Sequence, residues 1–309
     1  VAFGGQTLAS LGQSLLRGLG KSIALEYPRY ECRFIDLEPS LEVLVGAGLA
    51  DALLGEGDEE RIALRGGRQF VERLAPKRVE AGDEGFEARG AWLITGGLGA
   101  LGLHVARWLK EKGASRLILV GRRGMQTPGA AEAVAELSRG GTKVQVVAGD
   151  VGAEQDFARV MQEARLEEQG LEGIVHAAGV GSMMRLAEAT VAKVDSEIEG
   201  KVRGAWHLHE WTLRHPVARF LVFSSGAAAW GSAGQGVYGA GNAFLDALVL
   251  QRRRMGLPGL SLAWGVWSGG GMASDAPLEW MSKVGLKPME PLVCMQVMER
   301  LLAQEAKQS

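Results

Sequence analysis

The sequence predicts an α/β protein built on a doubly wound parallel sheet. A glycine-rich turn occupies residues 96–102, between an apolar run and an amphipathic segment. With 309 residues, of which 47% are apolar, the chain is long enough for about two domains with ordinary cores. Short apolar runs alternate with segments long enough for helices, which is the βαβα pattern of a parallel sheet: AWLIT, RLILVG, KVQVVAG, EGIVHAA, RFLVFSS and LSLAWG.

A linker is predicted over residues 76–90, PKRVEAGDEGFEARG, which are dense in charge and glycine and lack an apolar period. Before it, LGQSLLRGLGKSIALEYP predicts a helix that stops at Pro28, and CRFIDL and RIALRGGRQFVERL predict short strands. We therefore expect residues 1–75 to form a small α/β unit and residues 91–309 to form the parallel sheet with its helices.

Composition excludes several classes of protein. The formal net charge of −2 provides no basic field for nucleic acid, so no nucleic-acid partner is expected. Cys32 and Cys294 lie far apart without CxxC spacing, which argues against a disulfide framework and a zinc site. His207 and His209 do not converge on one helix face, so no metal is expected. No signal sequence or membrane-spanning run is visible, and a cytoplasmic location without a membrane partner is expected.

The turn after the first strand of the sheet predicts a dinucleotide site. Gly97, Gly99 and Gly102 have the G-x-G-x-x-G spacing of Rossmann-type proteins, between a strand and a helix. Such glycines let the backbone approach a pyrophosphate, whose charge meets the helix N-terminus. Thr95, at the strand end, and Leu101, in the turn, belong to the same predicted site.

The next strand end predicts NADPH rather than NADH. Twenty residues after Gly102, where an NAD enzyme carries an acid for the ribose, the chain reads VGRRG, with Arg122 and Arg123. Guanidinium groups pair with a 2′-phosphate, whereas a carboxylate would repel it. The alternative is a pair of solvated arginines at a strand end.

Two further strand ends complete the predicted cofactor site. Asp150, in AGDV with Val151, can accept a hydrogen bond from the adenine amino group or can instead cap a turn. Ala177 and Gly179 in HAAG are expected to line the ribose and nicotinamide side, while His176 is expected to be a packed strand-end histidine.

The reacting centre is predicted around Tyr238, which can donate a proton to the oxygen of a reduced ketone. Ser225 ends a strand thirteen residues earlier, and Ser224 competes with it because only one of the two can face the cleft. Asn242 lies one helical turn after Tyr238, at a position where common short-chain dehydrogenases have a lysine. A cation must then come from elsewhere.

Two lysines can supply that cation, and spacing alone leaves the choice open. Lys193 and Lys201 both lie in TVAKVDSEIEGKVRGAWHLHEW, a segment that is expected to form one long helix beside the cleft.

Taken together, the motifs resemble the ketoreductase domain of modular type I polyketide synthases, within the short-chain dehydrogenase/reductase superfamily. The resemblance covers about residues 90–270 and includes TGGLGALG, VGRRG, HAAGV, EGKVRGAWHLHEW, FLVFSSGAAAWGSAGQGVYGAGNAFLDAL and LAWGVW. In that family, lysine and asparagine have exchanged positions relative to other short-chain dehydrogenases. The resemblance therefore implies that the catalytic residues are Lys201, Ser225, Tyr238 and Asn242.

The resemblance also implies the reaction. NADPH would reduce the β-keto group of an intermediate held on the phosphopantetheine of an acyl carrier protein, with neighbouring synthase domains as further partners. Tyr238 would protonate the oxygen and Ser225 would hydrogen-bond it. Lys201 would lower the pKa of Tyr238, and Asn242 would position Lys201 or a water molecule.

The part before the linker resembles the late half of the family's structural subdomain, a degenerate Rossmann-like unit without a cofactor. Its usual glycine-rich early strands are not found in this sequence, so a truncated structural subdomain is expected.

Stereochemistry is implied by residues near the substrate. The family's LDD motif is replaced by Gly181, Ser182 and Met183, and Trp230 lies eight residues before Tyr238. This pattern implies an A-type enzyme that gives an L-configured β-hydroxyl, and Gln235 in place of histidine implies the A1 class. Trp230 either steers the acyl chain or packs.

A glycine-rich segment, residues 268–286, suits a lid. Met272, Trp280 and Met281 within it either touch the acyl or pantetheine arm or form the packed apolar stripe of a short helix.

Two alternatives to a polyketide synthase ketoreductase remain. A freestanding short-chain reductase for small ketones is disfavoured by the small unit before residue 76. A catalytically silent scaffold domain is disfavoured by the intact set Lys201, Ser225, Tyr238 and Asn242.

Overall fold

A computed structural model describes residues 10–38, 47–55, 59–76, 85–181, 183–268 and 285–306. Six parallel strands form one sheet in the order β6-β5-β4-β7-β8-β9, so the chain winds outward in both directions from β4 and β7. Each apolar run named from the sequence forms one strand, which confirms the predicted doubly wound sheet: β4 Ala91–Thr95, β5 Arg116–Gly121, β6 Lys143–Ala148, β7 Gly173–His176, β8 Arg219–Ser225 and β9 Leu260–Trp264.

Helices cover both faces of this sheet, and each face has its own apolar core. One core includes residues of α3 Ala100–Glu111, α4 Ala130–Leu137 and α11 Pro291–Ala306. The other includes residues of α5 Glu154–Glu163, α6 Leu166–Gln169, α8 Gly204–Arg214 and α10 Gly236–Arg254. Two shorter helices, α7 Val191–Ile198 and α9 Gly226–Trp230, lie next to the carboxyl ends of the strands. No helix of the described ranges is long and apolar enough to cross a membrane.

The N-terminal unit has a three-stranded sheet in the order β1-β2-β3, with β1 parallel to β2 and β3 antiparallel to it. Its elements are α1 Gln13–Glu26, β1 Phe34–Leu37, α2 Ala47–Leu54, β2 Arg61–Arg65 and β3 Arg68–Val71. Helix α1 ends at Glu26, and Pro28 begins a short 3-10 turn, so the predicted stop signal marks the end of the helix.

Helix α1 packs directly on α10, the helix that carries Tyr238 and Asn242. The contact is close because α1 has a glycine there: a Cβ atom on Gly18 would overlap the backbone carbonyl of Gly239. Gly18 therefore lets the N-terminal unit pack against the backbone of the Tyr238 helix.

Within the predicted linker, residues 77–84 lie outside the described ranges. Residues 85–90 have no regular secondary structure, and Phe86 is buried with its ring stacked on Trp108 at 5.0 Å between centroids. This end of the segment therefore packs on the parallel-sheet unit.

The segment around Lys201 is helical without a break from Val191 to Arg214, as expected, but it is not a regular α-helix. It consists of α7, a π-helical turn over Glu199–Arg203, and α8. His176 Nε2 donates to the carbonyl oxygen of Lys201 at 2.8 Å, inside this turn. A side chain that binds a helical carbonyl competes with the regular ladder, and such π turns are frequent at functional sites.

Candidate active site

The four residues predicted to be catalytic come together from three elements. Ser225 ends β8, Tyr238 and Asn242 lie one turn apart on α10, and Lys201 lies on the π turn. The side chains of Ser225 and Asn242 lie next to the Tyr238 phenol, and both act to lower its pKa. The backbone oxygen of Tyr238 also accepts from Asn242 Nδ2 at 2.8 Å. A tyrosine, a serine and a buried amine thus share one end of the parallel sheet.

Lys201 is buried, with 5% of the residue exposed. Its Nζ donates to Asn242 Oδ1 at 3.1 Å and to the carbonyl oxygen of Phe223 at 3.4 Å, and it lies 5.3 Å from the centroid of the Tyr238 ring. Burial lowers the pKa of Lys201 to about 8, against the opposing effect of the Asp246 carboxylate. Lys193, the other candidate, is exposed and donates to the carbonyl oxygen of Glu188.

Gly179 makes room for the lysine. A Cβ atom at this position would lie 2.6 Å from Lys201 Cε and 3.0 Å from its Nζ. The sequence suggested Gly179 as a cofactor contact, and the structure adds a second reason for glycine here, since any side chain would displace the amine.

The expected lowering of the Tyr238 pKa by Lys201 is not found. Burial of the phenol raises its pKa above the usual 10, and this effect outweighs the hydrogen bonds from Ser225 and Asn242. The reason is that the ammonium group binds the asparagine amide while the surrounding apolar residues disfavour a phenolate. Tyr238 is therefore held in its protonated form, which is the form that can donate a proton.

The two adjacent serines face different ways. Ser225 lies next to the Tyr238 phenol, and its Oγ accepts from the Ala227 amide at 3.2 Å. Ser224 is buried and donates to the backbone oxygen of Asn242 at 3.3 Å. The strand alternation thus turns Ser225 toward the phenol and Ser224 toward the backbone of α10.

Two buried side chains connect the glycine-rich turn to the lysine. Because His176 Nε2 donates to the Lys201 carbonyl oxygen, its Nδ1 accepts the 2.7 Å hydrogen bond from Thr95 Oγ1. Burial lowers the pKa of His176 to about 4, so the ring is neutral and suited to both bonds. Thr95 Oγ1 in turn accepts from the Ala178 amide at 3.3 Å. The histidine packs as expected, but its link to the lysine segment was not foreseen.

A cleft opens where the carboxyl ends of β4, β5, β6 and β7 meet, which is the place where open α/β sheets bind ligands. Its volume is about 150 Å³. Five of the predicted cofactor residues line it: Thr95, Arg122, Asp150, Val151 and Gly179. The wall is completed by residues that the sequence analysis left out: Gly96, Val120, Gly121, Gly149, Ala178, Val180, Ser196, Glu197 and Gly200.

One of these omitted residues could have been found. Glu197 lies four residues before Lys201, and a one-turn spacing predicts a shared helix face. The others depend on how separate strands meet, which local spacing does not specify.

The glycine-rich turn fits a dinucleotide. A Cβ atom at Gly97 would lie 2.8 Å from the Ile94 carbonyl oxygen, and one at Gly102 would overlap the Gly96 carbonyl oxygen, so both glycines are needed for the turn itself. Gly99 is exposed and precedes the first residue of α3, which leaves the N-terminal amides of a twelve-residue helix facing outward. Leu101 and Ala177 are half-buried beside this turn. The residues present therefore suit a pyrophosphate.

The two arginines that were predicted to face the 2′-phosphate differ in position. Arg122 lines the cleft and is exposed, whereas Arg123 is exposed but does not belong to the cleft wall. Asp150 was predicted either to bind adenine or to cap a turn. It lines the cleft, and its Oδ1 also accepts from the Gly152 amide at 2.9 Å as a turn cap.

The predicted substrate residues that the structure describes do not belong to the cleft wall. Trp230 is 44% exposed with its ring over Gly226, and Met183 is 70% exposed. Gln235 forms an isolated parallel bridge with Met184, so the two segments touch. Met272 and Ser182 lie outside the described residues, as does most of the predicted lid.

Within the described part of the chain, no cluster of His, Cys, Asp or Glu could hold a metal ion. The site combines a tyrosine, a serine and a buried amine beside a cleft at the strand ends. A Tyr–Ser–Lys–Asn constellation beside such a cleft defines an enzyme of the short-chain dehydrogenase class.

Comparison with known proteins identifies the family. The sequence model of the KR domain matches residues 90–269. The polyketide synthase GfsA of Streptomyces halstedii is 38% identical over 94% of this chain, which spans 4% of that protein. The pikromycin synthase component PikAIII of Streptomyces venezuelae is 37% identical over 92% of this chain and 18% of that protein. The chain thus matches a small part of each of these synthases.

Solved structures give the same answer. The ketoreductase PlmKR1, from the first module of phoslactomycin biosynthesis in Streptomyces sp. HK803, superposes with a TM-score of 0.91 at 33% identity, covering 98% of this chain and 70% of that one. An A1-type ketoreductase superposes with a TM-score of 0.89 at 36% identity, covering 98% and 64%. The chain belongs to the KR domain family of modular polyketide synthases. It is accordingly a ketoreductase, an oxidoreductase that reduces a β-keto group.

Proposed function

We propose that this ketoreductase uses NADPH to reduce the β-keto group of an acyl-carrier-protein-bound intermediate to an L-configured hydroxyl, as an A1-type enzyme. The observation that carries the chemistry is the contact of the Tyr238 side chain with Ser225, next to the buried amine of Lys201. The cofactor, the proton donor, the product configuration and the partner proteins are each supported by separate observations.

The cofactor assignment is supported by the cleft. The amides of the glycine-rich turn and the α3 N-terminus would hold the pyrophosphate, Arg122 would face the 2′-phosphate, and Asp150 and Val151 would border the adenine. When bound, NADPH supplies the hydride that adds to the β-carbon.

The proton comes from Tyr238. As the carbonyl oxygen gains negative charge, the Tyr238 hydroxyl gives up its proton to that oxygen, and Ser225 Oγ donates a hydrogen bond to it. Because burial keeps the phenol protonated, the donor is ready at neutral pH. The nearby Lys201 ammonium would stabilise the phenolate that remains, and Asn242 holds that ammonium in place.

The proposed product configuration is supported by the positions of three residues near the tyrosine helix and by sequence identity to solved ketoreductases. Trp230, partly exposed beside the tyrosine helix, can steer an acyl chain, and Gln235 and Met183 lie on the two segments that bridge next to it. Solved structures described as A-type and A1-type are 36% identical to this chain, whereas one described as C2-type is 29% identical. The length of the synthase relatives supports neighbouring synthase domains as partners, and the carrier protein is proposed from the family resemblance.

The test uses the purified protein, NADPH and a β-ketoacyl N-acetylcysteamine thioester, with NADPH absorbance and chiral chromatography of the product as readouts. We expect turnover with an L-configured product. Tyr238→Phe should reduce kcat by about 100-fold or more while the Kd for NADPH stays near that of the parent. Tyr30→Phe, at an exposed tyrosine of the N-terminal unit, is the matched control and should leave kcat unchanged.

Three results would contradict the proposal. Reduction of small ketones without any turnover of the thioester would favour a freestanding reductase. Absence of turnover with both substrates would favour a silent scaffold. A D-configured product would remove the A-type assignment alone.

A further inference from the structure

One carboxylate of the N-terminal unit holds two separate segments beside the active site. Glu26, the last residue of α1, accepts from the Gly234 amide through Oε1 at 2.8 Å and from the Leu186 amide through Oε2 at 2.9 Å. The two segments also bind each other, because the Met184 amide donates to the Gly234 carbonyl oxygen at 2.7 Å. Glu26 therefore fixes the distance between them.

Two more polar residues of α1 hold the preceding part of the second segment. Ser22 Oγ donates to the Ser232 carbonyl oxygen at 2.9 Å. Lys21, which is buried, donates through Nζ to the carbonyl oxygens of Ala228 and Ala229 at 2.8 and 2.6 Å, near the end of α9. A cation at that place satisfies carbonyls that the helix leaves unpaired.

The loop itself is shaped to meet α1. Gly231 has φ +87° and its backbone faces Lys21 so closely that a Cβ atom would lie 2.9 Å from the Lys21 carbonyl oxygen. Gly234 has φ +74°, with Met183 Cε 3.2 Å from where its Cβ atom would be. Both glycines adopt left-handed conformations that other residues rarely adopt.

These segments carry the residues that flank the substrate in the proposed function. Trp230 is the last residue of α9, Gln235 ends the loop that α1 holds, and Met183 lies next to the residue that bridges to Gln235. The exposed side chains of Trp230 and Met183 thus lie beside backbone groups that are hydrogen-bonded by α1.

We propose that Glu26 is a specificity-determining positioning residue, whose carboxylate sets the spacing of the 183–186 and 231–235 segments and thereby the shape of the substrate entrance. This inference rests on the proposed function, because it takes Trp230, Gln235 and Met183 to touch the acyl substrate. Glu26 touches neither substrate nor cofactor and acts through the two backbone amides.

The test is Glu26→Gln in the full chain. A glutamine side chain has one acceptor oxygen, so one of the two amides must lose its partner. We expect the KM for a β-ketoacyl N-acetylcysteamine thioester to rise about tenfold and the product configuration to become mixed. The Kd for NADPH and the kcat for a small cyclic ketone should stay within about twofold of the parent. Hydrogen exchange should become faster at the Gly234 or Leu186 amide.

Glu132→Gln, at an exposed glutamate of α4, is the matched control and should change none of these values. A purely structural role for Glu26 would lower kcat for both substrates equally and would overturn the inference. It would also be overturned by faster amide exchange with unchanged KM and product configuration.

If Glu26→Gln does not fold, Glu26→Asp carries the same test, since it keeps the carboxylate but shortens its reach to the Leu186 and Gly234 amides. We expect the same selective rise in thioester KM, and an unchanged KM would overturn the inference. Absence of thioester turnover by the parent protein would contradict the proposed function, while the amide-exchange measurement would still report whether Glu26 holds the two segments.

Discussion

Lys201 and Asn242 are joined by a 3.1 Å hydrogen bond from Nζ to Oδ1, and both residues are buried. The other end of the asparagine amide is bound to the backbone of Tyr238. The Lys201 amine is therefore linked to the tyrosine helix through the side-chain amide of Asn242. Lys201 and Asn242 lie on separate elements, 41 positions apart in the sequence.

This pairing predicts that the two residues can exchange places. Lys201→Asn and Asn242→Lys should each lower kcat by about 100-fold. The first variant leaves two amides and the second leaves two amines in a site that holds one amine and one amide. The double variant should recover at least about tenfold of that loss, since contacting residues are coupled. A double variant worse than both single variants would show that the positions are not equivalent. Lys193→Asn, at the exposed lysine, is the control.

Stability should depend on pH through Lys201. Its pKa is lowered from 10.5 to about 8 in the folded chain, so between these values the unfolded chain holds a proton that the folded chain has released. The free energy of unfolding should therefore rise as pH increases from about 8 to 10. Lys201→Met should flatten this rise. Lys21, with a folded pKa also near 8, contributes in both proteins, so the difference between the two curves isolates Lys201. The free energies of unfolding are measured by urea titration at each pH. An equal rise with pH in the parent and in Lys201→Met would contradict the prediction.

Gly179→Ala should reduce turnover without unfolding the protein. The added methyl would lie 2.6 Å from Lys201 Cε, and the flexible end of that side chain can move away from it. We expect kcat to fall by about tenfold or more and Tm to change by only a few degrees. Gly12→Ala has only the Ser10 hydroxyl within 4 Å, at 3.6 Å, and serves as the control. An unchanged kcat would contradict the prediction, because it would show that turnover does not depend on the exact position of the Lys201 amine.

Arg122→Ala should weaken NADPH more than NADH. Only the 2′-phosphate of NADPH gains from a guanidinium group, so the Kd for NADPH should rise by about tenfold while that for NADH stays nearly constant. Arg123→Ala should have a smaller effect, since Arg122 lines the cleft and Arg123 does not. Arg139→Ala, on the surface beyond α4, is the control. An equal loss of both cofactors would remove the phosphate assignment.

Much of the fold could be predicted because its signals are local. Each buried parallel strand is a short apolar run, and the glycines of the first turn are required by backbone contacts only a few residues away, as at Gly102 and Gly96. The grouping of Ser225 and Tyr238 follows for the same reason, since a strand end and the next helix meet at one edge of the sheet.

What the sequence did not reveal depends on distant contacts. The π turn at Lys201 includes a carbonyl bound by His176, 25 residues earlier, and no local pattern marks that bond. The pKa of Tyr238 was expected to fall, but it is set by burial, which arises from the assembled fold. The contacts of Glu26 join residues separated by 160 and 208 positions, so α1 read only as an ordinary helix.

The backbone contact between Gly18 and Gly239 has a consequence for chimeric synthases. A hybrid that took α1 from one parent and the tyrosine helix from another would need a glycine at position 18, because a methyl group there would collide with the Gly239 carbonyl oxygen. Crossover points chosen from catalytic motifs alone would miss this requirement, since Gly18 lies outside all of those motifs.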